Sequence, residues 1–374
     1  MSKYCQIYPQ NLKPSYSEYD QIDFVLSGDG QRYVDNSLTL CCDVNATFLG
    51  DTIPSTDLIK MNNLAGGHGL ISSVAVSCVK LGQLEYIAEY PKLVGAISQA
   101  SLNEKLDTFN SNLVAELRTC SPDVTGALLH GVYSRGKTTD PFRKSPDMAL
   151  KLNCALNNMI GDPLLPFALT GDLTVTIQLE RIVNALYGRL TVGSEYSYNI
   201  TNVRLNYLTV VDDPKVPYSK NYMFNVYSSI RQSIQSSYSS VTTKAPVVAN
   251  SVFCSFIQQA NEANPMTDNL MQEYLPNVTE VTFQWNGNFS QSVVYTLNNV
   301  EEILTNYLEA VTTNPNTNNA SLQCIAQNKS YGVGLRFGSP VNLAQNAFTM
   351  NIKSSIDGSS PYTVVMHFNG ILSI

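Results

Sequence analysis

The stretch from Pro163 to Asp213 constrains the fold more than any other, because it spells out two successive strands with different kinds of regularity. In the first, Leu173, Val175, Ile177 and Leu179 alternate with Asp172, Thr174, Thr176, Gln178 and Glu180, so a pleated chain puts every apolar group on one face. A sheet with one wet side is antiparallel in the usual case. In the second, Tyr196, Tyr198 and Ile200 share one parity, whereas Val203, Leu205 and Tyr207 take the other. A parity switch at Thr201-Asn202 needs an extra residue in the ladder, so a bulge or bend is expected there. The resulting sheet is curved, like the wall of a sandwich or barrel.

Strands of this kind recur along the chain. Phe24–Leu26, Leu38–Val44, Leu70–Val79 and Leu84–Tyr90 read as strands. From Ser101 to Leu117 the period changes to that of a helix: Leu102, Leu106, Phe109, Leu113 and Leu117 share a face, and Ser101 with Glu104 forms a capping box. After Asp213 two prolines in a polar run, residues 214–221, mark a linker. Residues 222–241 satisfy both periods and are read as strand. Pro246–Ile257 is a buried strand, and Val281, Phe283 and Trp285 lead to Asn286-Gly287, the preferred dipeptide of a two-residue hairpin, which returns through Phe289. Val300, Ile303, Leu304, Tyr307, Leu308 and Val311 then fit a second helix, with Asn299 as its cap and Glu302 three residues on. Val333–Phe337, Phe348–Ile352 and Tyr362–Phe368 close the chain as strands. Both halves therefore read as several strands, one helix, then more strands.

At 374 residues the chain can hold two cores of similar size. The expected division is an extended arm over 1–20, a first domain over 21–213, the linker 214–221 and a second domain over 222–374. The arm is expected to lie on a neighbour or along its own sheet edge. Charged residues make up only 14% of the chain against about 25% in ordinary usage, so the solvent side must be built from Asn, Ser, Thr, Gln and Tyr. Such a surface is cheap to bury against protein partners. A net charge of −7 and the lack of a basic arm argue against a nucleic-acid surface. The first ten residues carry no apolar run, and no window reaches the length of a membrane span, so a chain made in the cytosol and soluble there is expected.

Several motifs suggest chemistry that their surroundings argue against. Gly131–Thr138 matches the phosphate-loop pattern, with Lys137 in the lysine position, but Pro141 and Pro146 fall where its helix should run, and Tyr207–Asp213 belongs to an alternating strand and not to a buried parallel one. The three histidines, His68, His130 and His367, are isolated and have no metal-ligand spacing. No G-x-S-x-G elbow occurs. The eight cysteines, Cys5, Cys41, Cys42, Cys78, Cys120, Cys154, Cys254 and Cys324, form no C-x-x-C pair and read as reduced core residues. Six N-x-[ST] sequons, at Asn45, Asn199, Asn277, Asn288, Asn319 and Asn328, follow from abundant Asn, Ser and Thr. The carboxylates sit in turns and caps, where solvated surface is the plain reading, although a paired-carboxylate glycosidase or a carbohydrate-binding β-sandwich stays open as the alternative. No catalytic, cofactor-binding or metal-ligating residue is expected.

MALKLNCALNN, DPLLPFALTGDLTVTIQLERI and YSYNITNVRLNYLTVVDD resemble the last strands of the first jelly roll in the double jelly-roll major capsid proteins of double-stranded DNA viruses, in the branch of polinton-like viruses, adintoviruses and virophages. VTFQWNG, NNVEEILTNYLEAV, GVGLRFGSPVNLAQNAFTMNIKSS and TVVMHFNGILSI resemble stretches of the second roll. The resemblance implies an all-β fold of two consecutive antiparallel eight-stranded jelly rolls, each with a short inserted helix. It also implies a homotrimer with six lobes that tiles an icosahedral shell, next to neighbouring capsomers and to penton and minor capsid proteins. The place implied is the virion, assembled in the host cytoplasm or nucleus, over an internal membrane or none. No cofactor, catalytic residue or sequence-specific nucleic-acid contact is implied.

Overall fold

The computed structural model describes residues 2–48, 58–61, 65–101, 147–189, 196–245, 247–262, 264, 278–286, 292–311 and 332–374. In chain order the first half contributes β1 (Ser2–Ile7), β2 (Tyr16–Ser17), β3 (Gln21–Leu26), β4 (Gln31–Val34), β5 (Thr39–Phe48), β6 (Leu58–Met61), β7 (Ile71–Cys78) and β8 (Gly82–Ile87). Helix α1 (Tyr90–Ser101) follows, then β9 (Asp147–Lys151), β10 (Met159–Ile160), β11 (Leu164–Pro166), β12 (Leu173–Leu179), β13 (Leu186–Arg189) and β14 (Tyr196–Val211). The second half contributes β15 (Met223–Ile234), β16 (Tyr238–Thr243), β17 (Val248–Gln258), β18 (Glu280–Asn286), β19 (Ser292–Leu297), α2 (Val300–Val311), β20 (Val333–Asn342), β21 (Phe348–Lys353) and β22 (Tyr362–Ser373).

Among the described residues the second half forms one jelly roll with unbroken strands. Counted along the chain, its eight strands form two facing sheets in the orders first-eighth-third-sixth, β15-β22-β17-β20, and second-seventh-fourth-fifth, β16-β21-β18-β19. The first half repeats these orders once its broken strands are joined. β4 and β5 lie end to end along one edge of β14, and β1 and β2 along the other. β9 and β11 likewise line the far edge of β5 and β4. The first sheet is then β1/β2, β14, β4/β5, β9/β11, and the second is β3, β12, β7, β8. Ser2–Ile7 thus fills the first position of the roll along the edge of its own sheet. In both halves the helix lies between the fifth and sixth strands.

The expected parity switch appears as a register shift. Thr201 pairs with Asp43 and Arg204 with Cys41, so β14 spends one residue more than β5, and Asn202 takes the left-handed conformation at φ 51. β12 shows the expected alternation: Leu173, Val175, Ile177 and Leu179 are buried. α2 has its predicted cap, because the Asn299 side-chain oxygen accepts the Glu301 N–H at 2.9 Å.

Two local expectations are corrected. A helix runs from Tyr90 to Ser101, and the helix expected over Ser101–Leu117 falls, beyond Ser101, outside the described residues. Tyr90, Leu93, Val94 and Ile97 carry the i, i+3, i+4, i+7 stripe, and Pro91 stands in the first turn, where no intrahelical N–H is needed. The strand read as reaching Tyr90 ends at Ile87. The hairpin after Trp285 does not turn on two residues, since Asn286 pairs with Ser292 and five residues intervene. Phe289 is outside the described residues.

One apolar core runs through both halves, from Phe24, Leu40 and Val175 in the first roll to Phe253, Phe348 and Phe368 in the second. Its continuity follows from a shared sheet: β8, the last strand of one sheet of the first roll, runs parallel to β15, the first strand of the second.

Candidate functional site

The chemical candidates that lie among the described residues do not converge. His68 is buried with Nδ1 3.0 Å from the Tyr90 hydroxyl. His367 is fully buried, its Nδ1 lies 2.8 Å from the Ser229 hydroxyl, and its ring is 5.2 Å from that of Phe253. Burial drives the His367 pKa down to about 3, which keeps the imidazole neutral. Among the described residues no group of three or more His, Cys, Asp or Glu could hold a metal. Cys41, Cys42, Cys78, Cys154 and Cys254 carry buried reduced thiols, and burial raises Cys154 and Cys254 well above the ordinary range. His130, Lys137 with the rest of Gly131–Thr138, Cys120 and Cys324 lie outside the described residues. Tyr207–Val211 belongs to the antiparallel strand β14.

What the structure brings together instead is the seam between the rolls. The seam is built on β8, α1 and the Leu152–Ile160 crossing from the first roll, and on β15 and residues 259–262 from the second. At its centre Glu85, 3% exposed, accepts the Ala155 N–H at 2.6 Å and the Tyr227 N–H at 2.7 Å. At one end charges cross over: Arg231 contacts Glu262 at 2.6 Å and Glu89 at 3.5 Å, Glu89 meets Lys92 at 3.7 Å, and Arg181 donates to the Glu262 carbonyl at 3.0 Å. Burial lowers the Lys92 pKa and raises that of Glu180, each opposed in part by neighbouring groups of helpful charge or hydrogen bonding. At the other end β10 pairs with β15 through Met159↔Phe224 and Ile160↔Met223, and the Asn225 N–H donates to the Asn158 carbonyl at 2.8 Å.

Two clefts flank the seam. One, of about 640 Å³, is lined by Asn36, Asn158, Asn225, Asn250, Asn369 and Arg336. The other, of about 730 Å³, is more apolar and runs past Tyr86, Val226, Val248 and Ile371. Each is bounded by both rolls, so its shape depends on how they sit together.

The segment after β14 is tied to the first roll. Arg32, 3% exposed, binds Asp212 at 2.7 Å and the Val216 carbonyl at 2.7 Å, and its guanidinium lies 5.0 Å from the Tyr218 ring. The Tyr218 hydroxyl donates to Asp212, and this bond with the Arg32 pair holds the Asp212 carboxyl below the usual range. Reading 214–221 as a linker did not foresee this clasp, because Arg32 lies 180 positions from Asp212.

No protein-family model matches the chain, and no curated protein matches its sequence. The solved structures do. The Faustovirus major capsid protein aligns with 100% of this chain and 90% of its own length at TM-score 0.62 and 10% identity. The Sputnik virophage structure aligns with 100% and 86% at TM-score 0.55 and 12% identity. The mavirus major capsid protein aligns with 99% and 88% at TM-score 0.52 and 12% identity. Together with the strand orders, these likenesses define the fold as a double jelly roll.

Proposed function

We propose that this chain is a major capsid protein whose homotrimers form six-lobed tiles of an icosahedral virus shell. The observation that carries the reading is the strand order repeated in both halves, in a chain that aligns end to end with capsid subunits. Two similar rolls per subunit make three copies a near-hexagonal block, which packs into flat facets. The chain divides within 214–221, with residues 2–17 counted in the first lobe. In this reading there is no catalysis, the shape of the lobes and their edges is the mechanism, and neighbouring capsomers with penton and minor capsid proteins are the partners, in a virion assembled in the host cytoplasm or nucleus.

The surface supports self-association. Tyr4 on β1 is 61% exposed, Tyr8, Leu12 and Tyr19 in the connections beside β1 and β2 are 58%, 71% and 63% exposed, and Val294 and Tyr295 are 59% and 43% exposed on β19. β1 and β19 are edge strands of their sheets among the described residues, so side chains and free main-chain groups coincide there. A subunit with two unlike sticky edges closes into a ring by head-to-tail contacts. The carbohydrate-binding alternative needs a groove lined by exposed rings. Among the described residues the first cleft offers only the buried Phe337, and the second a single exposed ring, Tyr86.

Size-exclusion chromatography with light scattering tests the proposal. A stable species near three times 41.1 kDa is expected, with hexagonal tiles or shells in electron micrographs, and a monodisperse monomer would overturn it.

A further inference from the structure

Among the described residues the two rolls share only short main-chain ladders. β15 makes twelve registered pairs with β22 inside its own roll, but across the seam it makes one with β8, Ser228↔Tyr86, and two with β10, Met159↔Phe224 and Ile160↔Met223. Glu85 stands beside that pair. It shares a strand face with the fully buried Ile87, so its side chain points inward, and its two oxygens accept one N–H each, from Ala155 of the first roll and from Tyr227 of the second. One carboxyl therefore adds a cross-roll hydrogen bond, to Tyr227, beside the single β8–β15 pair, and ties it to Ala155 of its own roll.

The groups that face it are few. From the first roll the Cys154 thiol is near enough to feel its charge, and from the second the Tyr227 phenol is, and both are fully buried and shifted upward. Asp35 acts on Cys154 and not on Glu85. Among the described residues no cation pairs with Glu85, so burial outweighs the two N–H bonds and lifts its pKa from 4.5 to about 8.

We propose that Glu85 is a latch between the rolls that loosens when its carboxyl ionises, making the seam, and not either roll, the part of the molecule that yields as pH rises. The sign follows from linkage. The latched carboxyl binds its proton more tightly than the same group opened to water. The latch is therefore at full strength below the ordinary carboxylate range and is lost as pH rises toward 8. Between pH 6 and pH 9 the opening equilibrium should grow roughly a hundredfold. The latch depends on the seam alone and is independent of the capsid reading.

Amide hydrogen exchange of the full chain tests it. The Tyr227 and Ala155 N–H rates are divided by those of Val175 and Cys254, which lie within the rolls, so that the intrinsic effect of base cancels. The expected result is a rise in that ratio of roughly a hundredfold from pH 6 to pH 9, and a flat ratio in Glu85→Gln, whose amide stays neutral. A flat ratio in the native protein overturns the latch. If the glutamine variant does not fold, carbon NMR of the native Glu85 carboxyl decides. A midpoint near 8 supports the proposal, and a midpoint at or below 4.5 overturns it.

Discussion

The interior of each roll and the seam between them are built on opposite principles. Inside the second roll, β15, β22 and β17 run side by side over ten or more residues, and Phe368 meets Phe348 edge to face at 5.6 Å in a dry core. At the seam there are three registered main-chain pairs among the described residues, one from β8 and two from β10, with a buried carboxyl and a set of crossing charges. The difference teaches where a two-lobed molecule has slack: the apolar core fixes each lobe and continues between them, while the polar contacts at the seam are the ones of adjustable strength.

The comparison breaks most severely at Gly332. A Cβ there would sit 1.6 Å from the Cys254 carbonyl oxygen, so Gly332→Val should cost about 4 kcal/mol or more and unfold the second roll, as read by the loss of its cooperative transition in circular dichroism. Phe368→Ala removes a fully buried ring and should cost about 3–5 kcal/mol by denaturant titration. A cost below about 1 kcal/mol would show that the core can collapse around the gap, and that it is less rigid than the seam.

The two regions should also answer pH with opposite signs. His367 lies in the core with its pKa depressed to about 3, so its contribution is complete above 6.5 and is lost as pH falls toward 3. Glu85 lies at the seam with its pKa raised, so its contribution fades between 4.5 and about 8. His367→Leu should therefore flatten the acid side of a melting-temperature profile and leave the alkaline side alone. The smaller effects lie at the surface. Asn299→Ala should cost α2 about 1 kcal/mol in thermal unfolding. Arg231→Ala should cost about 0.5 kcal/mol and lose that difference in high salt, because the guanidinium is 41% exposed.

Much of the fold was legible because alternation is a local signal. The buried face of β12, the bulge at Asn202 and the stripe of α2 each depend on side chains a few residues apart. α1 was legible too, in Tyr90, Leu93, Val94 and Ile97, but the apolar run before it hid the change of period. The site was not legible. In Gly82–Ile87 a glutamate between Leu84 and Tyr86 reads as the wet side of a strand, and nothing nearby shows that Ala155 and Tyr227 will close over it. The clasp of Arg32 on Asp212 joins residues 180 positions apart and is equally silent in the chain.

By itself, then, the sequence determined which segments become strands, which face of each turns inward, and that the pattern occurs twice, since these depend on the pleat and on the apolar character of neighbouring residues. The tertiary structure alone decided that β8 would meet β15, that broken strands would align to complete the first roll, and that a carboxyl would be enclosed where they join. Those outcomes depend on which distant surfaces exclude water together, and burial is a property of the assembled fold that no stretch of residues carries alone.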